Sequence, residues 1–234
     1  PKIKNKNFLT YGFSKKANFK IFNTVYKKDY SMFDLKVSIK GLKKTIIKKI
    51  KLNLIGPHNV LNSASAIALC LHIGIDIDVI KNALKKFTGI QRRLTKVFEI
   101  KGREFFDDYA HHPTEIKSVL KSVRMTYPSR KIVSVFQPHR YSRLKLLKKD
   151  FASSFKDSNL VVLCPVYPAG EKIDIKYDEI DFARLISKNS KIQVITIKNE
   201  EDLRKFFRKN LISNEIILCM GAGSISKWIR EMIL

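Results

Sequence analysis

The feature that most constrains the fold is a regular alternation of short apolar strands with amphipathic helices in the second part of the chain. Five segments have the continuous apolar character of strands that are buried on both faces: REFFDD, KIVSVFQ, NLVVLCP, KIQVITI and NEIILCM. Between them, apolar residues recur at helical spacing. The two clearest stripes are Ile116, Val119, Leu120 and Val123, and Leu144, Leu147, Phe151 and Phe155. This pattern predicts an α/β fold with a doubly wound, mostly parallel, Rossmann-like sheet covered by helices on both faces.

The first part of the chain has a different pattern. Residues 8–55 contain period-two stretches such as FKIFNTVY and FDLKVSIK, which are typical of half-buried strands. From Val60 the apolar residues follow helical spacing and stop near Gly74, and Asp78 is a candidate N-cap for a second helix. We therefore predict a first region of strands followed by two helices.

The segment TGIQRR, residues 88–93, separates the two patterns and is typical of a linker. It predicts one domain over residues 1–90 and a second over residues 91–234. The amino-terminal residues PKIKNKNFLTYGF lack the apolar core of a signal peptide, and the chain has no apolar run of about 18 residues. We expect a soluble cytoplasmic protein with no membrane contact. The three cysteines, which lack C-x-x-C spacing, are expected to be reduced core residues: Cys70, Cys164 and Cys219.

The chain has a formal net charge of +25, so nucleic-acid binding must be considered. Its positive residues are mostly lysines scattered through nearly every segment, without the interleaved aromatic residues that stack on bases. The densest run, KGLKKTIIKKIK at residues 40–51, alternates basic with apolar residues like a solvated strand face. Specific nucleic-acid binding is therefore not expected, although a basic nucleic-acid-binding module stays an alternative. Attraction of small anions is the milder consequence.

Polar clusters follow the predicted strands. They are DDYAHHPT after the first strand, QPHRYSR after the second and VYPAGE after the third. Because ligands of open α/β sheets bind beyond the carboxyl ends of the strands, these clusters are expected at one edge of the sheet. The last strand ends in GAGSI, where Gly221 and Gly223 could let the backbone approach an anion at a helix N-terminus. Because the third glycine of a dinucleotide fingerprint is missing, GAGSI is interpreted instead as a tight strand-to-helix turn.

The first cluster allows several chemistries. Asp107 and Asp108 can accept hydrogen bonds from a sugar hydroxyl or bind a hard cation, and His111 and His112 can donate, accept or bind a softer metal. A structural zinc site is disfavoured because adjacent histidines point in different directions. The alternative is that one aspartate and one histidine merely cap a helix that begins at Pro113.

Two arginines three residues apart, Arg140 and Arg143, stand at the start of the next predicted helix. Their guanidinium groups suit bidentate binding of a carboxylate or phosphate. The alternative is a solvated basic turn, but these arginines occur where the chain otherwise uses lysine. Ligand binding is therefore favoured.

Two amides, Asn59 and Asn62, lie three apart in GPHNVLNSASAIA, so both face the same side of the first helical turn. Amides supply the paired donors and acceptors that read a purine edge. Asn59 as a plain N-cap is the ordinary explanation. Both interpretations stay open.

The motifs GPHNVLNSASAIA, TGIQRR, DDYAHHPTEI, FQPHRYSR, VYPAGE and MGAGSI, in this order and spacing, resemble the distal half of a Mur ligase. The resemblance covers nearly the whole chain, from TYGFS at residues 10–14 to GAGSI at 221–225. DDYAHHPT is also typical of murein tripeptide ligases, and D-Y-A-H-x-P of the diaminopimelate-adding members. FQPHRYSR separates the L-alanine-adding members from both. The resemblance implies that residues 1–90 complete a central ATP-binding domain and that residues 91–234 form the C-terminal domain.

The resemblance also implies a reaction, which is ATP-dependent amide formation through an acyl phosphate in peptidoglycan precursor synthesis. ATP, Mg²⁺, UDP-N-acetylmuramate and L-alanine are the implied cofactors and partners. The positions implied to bind ATP are His58, Asn59, Asn62, Arg92, Arg93 and Asp108. Those implied to bind the amino acid are Tyr109, His111, His139, Arg140 and Arg143, with His111 also helping to deprotonate the substrate ammonium.

The chain departs from the family pattern in one respect. It contains no G-x-x-G-K-[ST] phosphate loop, and the family's Mg²⁺ ligands and UDP-sugar domain are expected to be missing with that loop. We expect the chain to be a fragment, with no metal ligand of its own and negligible turnover alone. A non-catalytic relic is a further alternative.

Overall fold

The computed structural model describes residues 8–39, 44–174 and 176–232. It divides into two compact units, residues 1–89 and residues 90–234. Residues 1–7 of the amino-terminal segment and residues 40–43 of the densest basic run lie outside the described residues.

The first unit combines a mixed sheet with two helices. Its described strands pair in the order β1-β2-β3-β4, with β1 parallel to β2 and the other pairs antiparallel. Phe19 and Ile21 in β2 alternate with more exposed residues and are buried against α1, as the period-two pattern predicts. The elements are β1 (Tyr11–Gly12), β2 (Phe19–Tyr26), β3 (Ser31–Val37), β4 (Thr45–Leu52), α1 (Pro57–His72) and α2 (Ile77–Lys86).

The N-cap of α2 is Asp76, so the prediction of Asp78 is wrong. The Asp76 carboxylate accepts a hydrogen bond of 2.8 Å from the backbone N–H of Asp78, which lies in the first helical turn. Starting the helix at Ile77 places Ile77 and Ile80, three residues apart, against the same core. Packing of the buried Ile80 and the partly buried Ile77 explains why the helix begins earlier.

The second unit contains a sheet whose described strands pair in the order β5-β6-β10-β7-β8-β9. β5 is antiparallel to β6, and the other pairs are parallel. Its elements are β5 (Thr95–Ile100), β6 (Arg103–Asp108), α3 (Pro113–Thr126), β7 (Lys131–Phe136), α4 (Tyr141–Leu146), α5 (Lys148–Ala152), β8 (Leu160–Leu163), α6 (Glu179–Ser190), β9 (Gln193–Thr196), α7 (Glu200–Asn210), β10 (Glu215–Met220) and α8 (Ile225–Glu231). All five predicted strands are present. β5 was missed because this half-exposed edge strand, TKVFEI, includes a lysine and a glutamate.

Helices cover both faces of this sheet, which confirms the doubly wound class. On one face, the ring of Phe105 in β6 lies 5.4 Å from that of Phe207 in α7. On the other, Phe136 at the end of β7 contacts Phe151 and Phe155, with ring centroids 5.7 and 5.3 Å apart. Phe151 and Phe155 belong to the apolar stripe that was predicted to form one helix. The structure instead has two short helices there, α4 and α5, which are separated at Leu147.

The connections diverge at the carboxyl end of β10. β10 lies between β6 and β7, and the loops after β6 and β7 lead to α3 and α4, whereas the loop after β10 leads to α8 on the opposite face. A crevice at such a switch point is where open α/β sheets bind ligands. The fold therefore directs the search to the loops after β6, β7 and β10.

Two expectations from composition can be compared with this fold. All three cysteines are free thiols; Cys164 and Cys219 are buried, but Cys70 on α1 is only partly so. Over the described ranges, no helix has both the length and the apolar character that crossing a bilayer requires.

Candidate active site

The loops after β6 and β7 bring three ring side chains together at the carboxyl edge of the second unit. The ring centroid of His111 lies 5.2 Å from that of Tyr109 and 5.6 Å from that of His139. An Arg143 guanidinium nitrogen, Nη1, lies 3.3 Å from Nδ1 of His139. The structure thus places two segments far apart in sequence beside each other on one rim.

Local hydrogen bonding explains the position of His111. The next residue, His112, is the N-cap of α3, and its Nδ1 accepts from the backbone N–H of Thr114 at 3.3 Å. Glu115 completes a capping box, because its Oε2 accepts from the backbone N–H of both His111 and His112, at 3.0 and 3.2 Å. The histidine that caps the helix is therefore His112, whereas the ring of His111 lies at the rim.

The partners of the two rim histidines assign different tautomers to them. Nδ1 of His111 lies 2.9 Å from the Tyr109 carbonyl oxygen, which can only accept, so in the neutral form of this ring Nδ1 carries the proton and Nε2 is the acceptor. In His139, Nδ1 faces the Arg143 donor, so Nε2 carries the proton. Burial, followed by the nearby Arg143, His111 and Arg140, lowers the pKa of His139. Its ring is therefore neutral near pH 7, and the rim presents one imidazole acceptor and one donor.

Both predicted arginines lie at the start of α4. Arg140 is its N-cap, with a left-handed φ of 69° and an exposed side chain, whereas Arg143 is half-buried in the first turn. The backbone N–H of Arg140 donates to the Tyr167 carbonyl at 2.9 Å. Ser142 donates from its backbone N–H to Glu171 at 3.1 Å, and its hydroxyl bonds the other carboxylate oxygen. The loop after β8 therefore holds the backbone at the start of α4, from which the two arginine side chains extend.

Arg92 and Arg93 differ in their surroundings. Nη2 of Arg92 donates to the Gly221 carbonyl at 2.7 Å, and its guanidinium lies 4.6 Å from the centroid of the Tyr109 ring. Arg93 is exposed. Arg92 therefore connects the loops after β6 and β10, while Arg93 extends into solvent; a phosphate role for either stays a prediction.

Asp108 is almost completely buried at the end of β6, with 2% of its surface exposed. Its Oδ1 accepts from the backbone N–H of Ala110 at 2.8 Å and its Oδ2 from that of Leu94 at 2.7 Å. Burial outweighs these two hydrogen bonds and raises the pKa of the carboxyl to about 6. The carboxylate organises the rim, and its contact with a ribose stays a prediction.

Asp108 should make folding stability depend on pH. Since its pKa rises from 3.8 to about 6 on folding, the folded protein binds the proton more tightly in that window. This shift therefore adds to the free energy of unfolding below about pH 4, and the added stability is lost as pH rises through about 6. The total loss is at most roughly 3 kcal/mol. We expect Asp108→Asn to remove this slope, as measured by urea unfolding from pH 4 to 7. If the free energy of unfolding changed with pH in the same way in the wild type and in Asp108→Asn, the raised pKa of Asp108 would be wrong.

Comparison of the sequence with known protein families identifies the family of this chain. The model described as "Mur ligase, glutamate ligase domain" matches residues 92–223, which is more than half of the chain. The chain belongs to the Mur ligase family.

Similar full-length proteins agree with this membership. The Mur ligase chain is 47% identical over 231 residues to a UDP-N-acetylmuramate–L-alanine ligase of Pelagibacter ubique, covering 99% of this chain and 50% of that protein. It is 37% identical over 227 residues to the protein of that name from Roseobacter denitrificans, covering 97% and 48%. The chain therefore spans about half the length of the curated relatives it matches.

Solved structures share the fold. The crystal structure of a UDP-N-acetylmuramate–alanine ligase from Thermotoga maritima has a TM-score of 0.73 and 27% identity, covering 95% of this chain and 46% of that one. A murein peptide ligase of Psychrobacter arcticus, at 17% identity and a TM-score of 0.61 over 96% and 47% of the two chains, supports the fold alone.

The remaining predicted residues of the Mur ligase chain lie in the first unit. His58, Asn59 and Asn62 fall in the first turns of α1. The N-cap is Gly56, so the interpretation of Asn59 as a plain N-cap is wrong; its side-chain amide instead donates to the Ile55 carbonyl at 2.8 Å. Asn62 is exposed. Contact of these residues with adenine stays a prediction.

Asp107 corrects one sequence expectation. Successive strand residues point to opposite faces, so Asp107 points away from Asp108, toward α8. There its Oδ2 accepts from Arg230 Nη2 at 2.9 Å and from the Ser226 hydroxyl at 2.6 Å, with no exposed surface. Asp107 is therefore a buried structural residue and cannot bind the sugar or cation that its sequence position suggested.

Four residues that shape the rim were not predicted from the sequence as members of the site. The turn VYPAGE was predicted as one of the polar clusters, but its contacts with the start of α4 depend on tertiary structure. Gln137 connects the loops after β7 and β10, because its Oε1 accepts from the Ile225 N–H at 3.0 Å. β10 ends at Met220 and α8 begins at Ile225, which confirms the tight strand-to-helix turn at GAGSI. The four residues are Gln137, Tyr167, Glu171 and Gly223.

Proposed function

We propose that this chain supplies the amino-acid site of a ligase that joins L-alanine to UDP-N-acetylmuramate, using ATP, in the synthesis of peptidoglycan precursors. The observation that carries the proposal is the rim where two histidines and two arginines lie together, in a chain whose relatives are named UDP-N-acetylmuramate–L-alanine ligases. A cytoplasmic location follows from ATP as the phosphoryl donor.

The proposed reaction has two steps. The lactyl carboxylate of UDP-N-acetylmuramate takes the γ-phosphoryl group of ATP, which releases ADP and forms an acyl phosphate. The amine of L-alanine then attacks the acyl carbon, the bond to the phosphate oxygen breaks, and inorganic phosphate leaves. The contribution of this chain is to place the amine and to remove its proton, which is catalysis by positioning.

The rim offers complementary groups to each end of an amino acid. Arg140 and Arg143 at the start of α4 can bind the substrate carboxylate as paired guanidinium forks. Nε2 of His111 is an acceptor suited to the ammonium group, and Nε2–H of His139 is a donor suited to the carboxylate. His111 then acts as the general base that takes the ammonium proton before attack, while Tyr109 lines the pocket beside it.

The nucleotide-binding residues are assigned by family membership. We assign adenine to His58, Asn59 and Asn62, the phosphates to Arg92 or Arg93, and the ribose to Asp108. Mg²⁺ would neutralise charge on the transferring phosphoryl group. Among the described residues, no three His, Cys, Asp or Glu side chains come together as metal ligands. We assign no Mg²⁺ ligand to them.

A chimeric enzyme tests this function. The chain is joined to the amino-terminal half of the Pelagibacter ubique relative, which it matches over half of that protein's length. We expect ADP and phosphate release that requires UDP-N-acetylmuramate, L-alanine and Mg-ATP together. Glycine and L-serine measure the preference among small amino acids.

The intact Pelagibacter enzyme, prepared in the same way, is the matched control. Activity of the control without L-alanine-dependent activity of the chimera would overturn the proposal. Turnover with a murein tripeptide in place of L-alanine would instead assign the chain to the murein tripeptide ligases.

A further inference from the structure

Tyr167, in the VYPAGE turn after β8, is the ring beside the candidate amino-acid pocket that the proposed reaction does not use. Its ring stacks on His139, with centroids 5.7 Å apart and ring planes inclined by 21°. His139 is therefore flanked by Tyr167 and, at 5.6 Å, by His111. The stack restricts how the His139 ring can tilt.

The backbone holds Tyr167 in register with His139. The N–H of Tyr167 donates to the Pro138 carbonyl at 2.8 Å, and the N–H of Arg140 donates to the Tyr167 carbonyl at 2.9 Å. These bonds form an isolated parallel bridge between His139 and Tyr167. Because backbone pairing and ring stacking join the same two residues, a shift of one would move the other.

Gly223, in the turn after β10, provides the space for the tyrosine ring. A Cβ atom at Gly223 would lie 2.5 Å from Cγ and 2.7 Å from Cβ of Tyr167, and 2.6 Å from Oε1 of Gln137. Real Cβ atoms essentially never approach neighbours so closely. The φ of Gly223 is not positive, so its backbone conformation does not require glycine. The need for glycine at this position comes from space.

We propose that Tyr167 is a positioning residue that holds the His139 imidazole in the amino-acid pocket, and that residue 223 is glycine to leave room for the tyrosine ring. Three loops, after β7, β8 and β10, therefore interlock at one aromatic ring. The consequence for the substrate rests on the proposed function, whereas the position of His139 is a property of the chain itself.

The charge state of His139 reports on this packing. Burial is the main cause of its lowered pKa, and the tyrosine ring supplies part of that burial. The charged and titratable groups that act on it are Arg143, His111 and Arg140, which lower the pKa, and Glu171, which raises it. If the tyrosine ring is lost, water reaches the imidazole and its pKa rises toward the ordinary value.

The first test is an NMR titration of the histidines in the complete chain, which has five. The His139→Gln variant identifies the His139 signals. We expect Tyr167→Ala and Gly223→Ala both to raise the pKa of His139, and Tyr167→Phe to leave it unchanged because the ring is kept. An unchanged pKa in both alanine variants would overturn the proposal. If Gly223→Ala does not fold, Tyr167→Ala decides alone, since Tyr167 is 38% exposed and loss of its ring empties no core.

The second test measures kinetics in the chimeric ligase. We expect Tyr167→Ala to raise the KM for L-alanine about threefold to tenfold, as loss of an aromatic pair does, and to leave the KM for ATP unchanged. Tyr167→Phe should restore the wild-type value. Equal changes in both KM values would indicate a general structural role and overturn the proposal. Failure of the chimera to use L-alanine would overturn the proposed function instead, while the titration would still decide the role of Tyr167.

Discussion

Replacing Arg143 with alanine is expected to raise the KM for L-alanine about 100-fold in the chimeric ligase, with little change in the KM for ATP. Charge-assisted hydrogen bonds contribute about 1.5–3 kcal/mol each, which corresponds to roughly a tenfold to 150-fold change in affinity. Arg143 also donates to Nδ1 of His139, so its loss removes a substrate contact and frees the neighbouring ring. Steady-state kinetics with L-alanine as the varied substrate would measure the effect.

Two variants control for charge and for helix stability. Arg143→Lys keeps the charge but not the planar fork, so we expect an intermediate increase of about tenfold. Lys145→Ala removes a positive charge from the same helix at an exposed position, and it should leave the KM for L-alanine unchanged. If Arg143→Ala and Arg140→Ala both bound L-alanine as the wild type does, the proposed pocket would be wrong.

Replacing Arg130 with methionine is expected to lower the free energy of unfolding by about 4 kcal/mol, because it breaks a buried charge network. Arg130 pairs with Glu104, and the two side chains are only 12% and 2% exposed. Its guanidinium also donates to the carbonyls of Gly102, Asn214 and Glu215, at 2.7, 3.1 and 3.0 Å. Methionine fills similar volume but leaves three carbonyls without this donor, and Glu104 loses this cationic partner while its ion pair with Lys96, at 3.0 Å, remains. Urea unfolding at neutral pH would measure the loss.

The matched control is Arg184→Met. Arg184 pairs only with Asp181 among the described residues, and the two side chains are 76% and 58% exposed, so we expect a change within about 0.5 kcal/mol. Arg130 precedes β7, at the end of the sheet opposite the rim, so Arg130→Met should leave the KM for L-alanine unchanged at temperatures where the chimera is folded. A loss of stability no larger than that of Arg184→Met would show that the network contributes little.

Local pattern predicted most of the second unit. A strand that is buried on both faces must be apolar along its whole length, so five strands were visible from their residues. The order of strands and helices then set which polar turns share the carboxyl edge. The edge strand β5 was missed because exposure of one side allows charged residues and weakens the apolar signal. Helix starts were predicted less well: α2 begins at Ile77, which packs partly buried against the core, so the N-cap is Asp76 and not Asp78.

The sequence by itself determined the doubly wound class, the clustering of polar residues after the strands and the two guanidinium groups at the start of α4, because each depends on residues close together in the chain. Only the tertiary structure decided that Asp107 is a buried structural residue and that Tyr167 stacks on His139 in the space left by Gly223. Those contacts join residues 28 to 123 positions apart, and their geometry depends on how separate strands and loops pack. Periodicity describes which face a residue occupies; packing decides which side chains meet there.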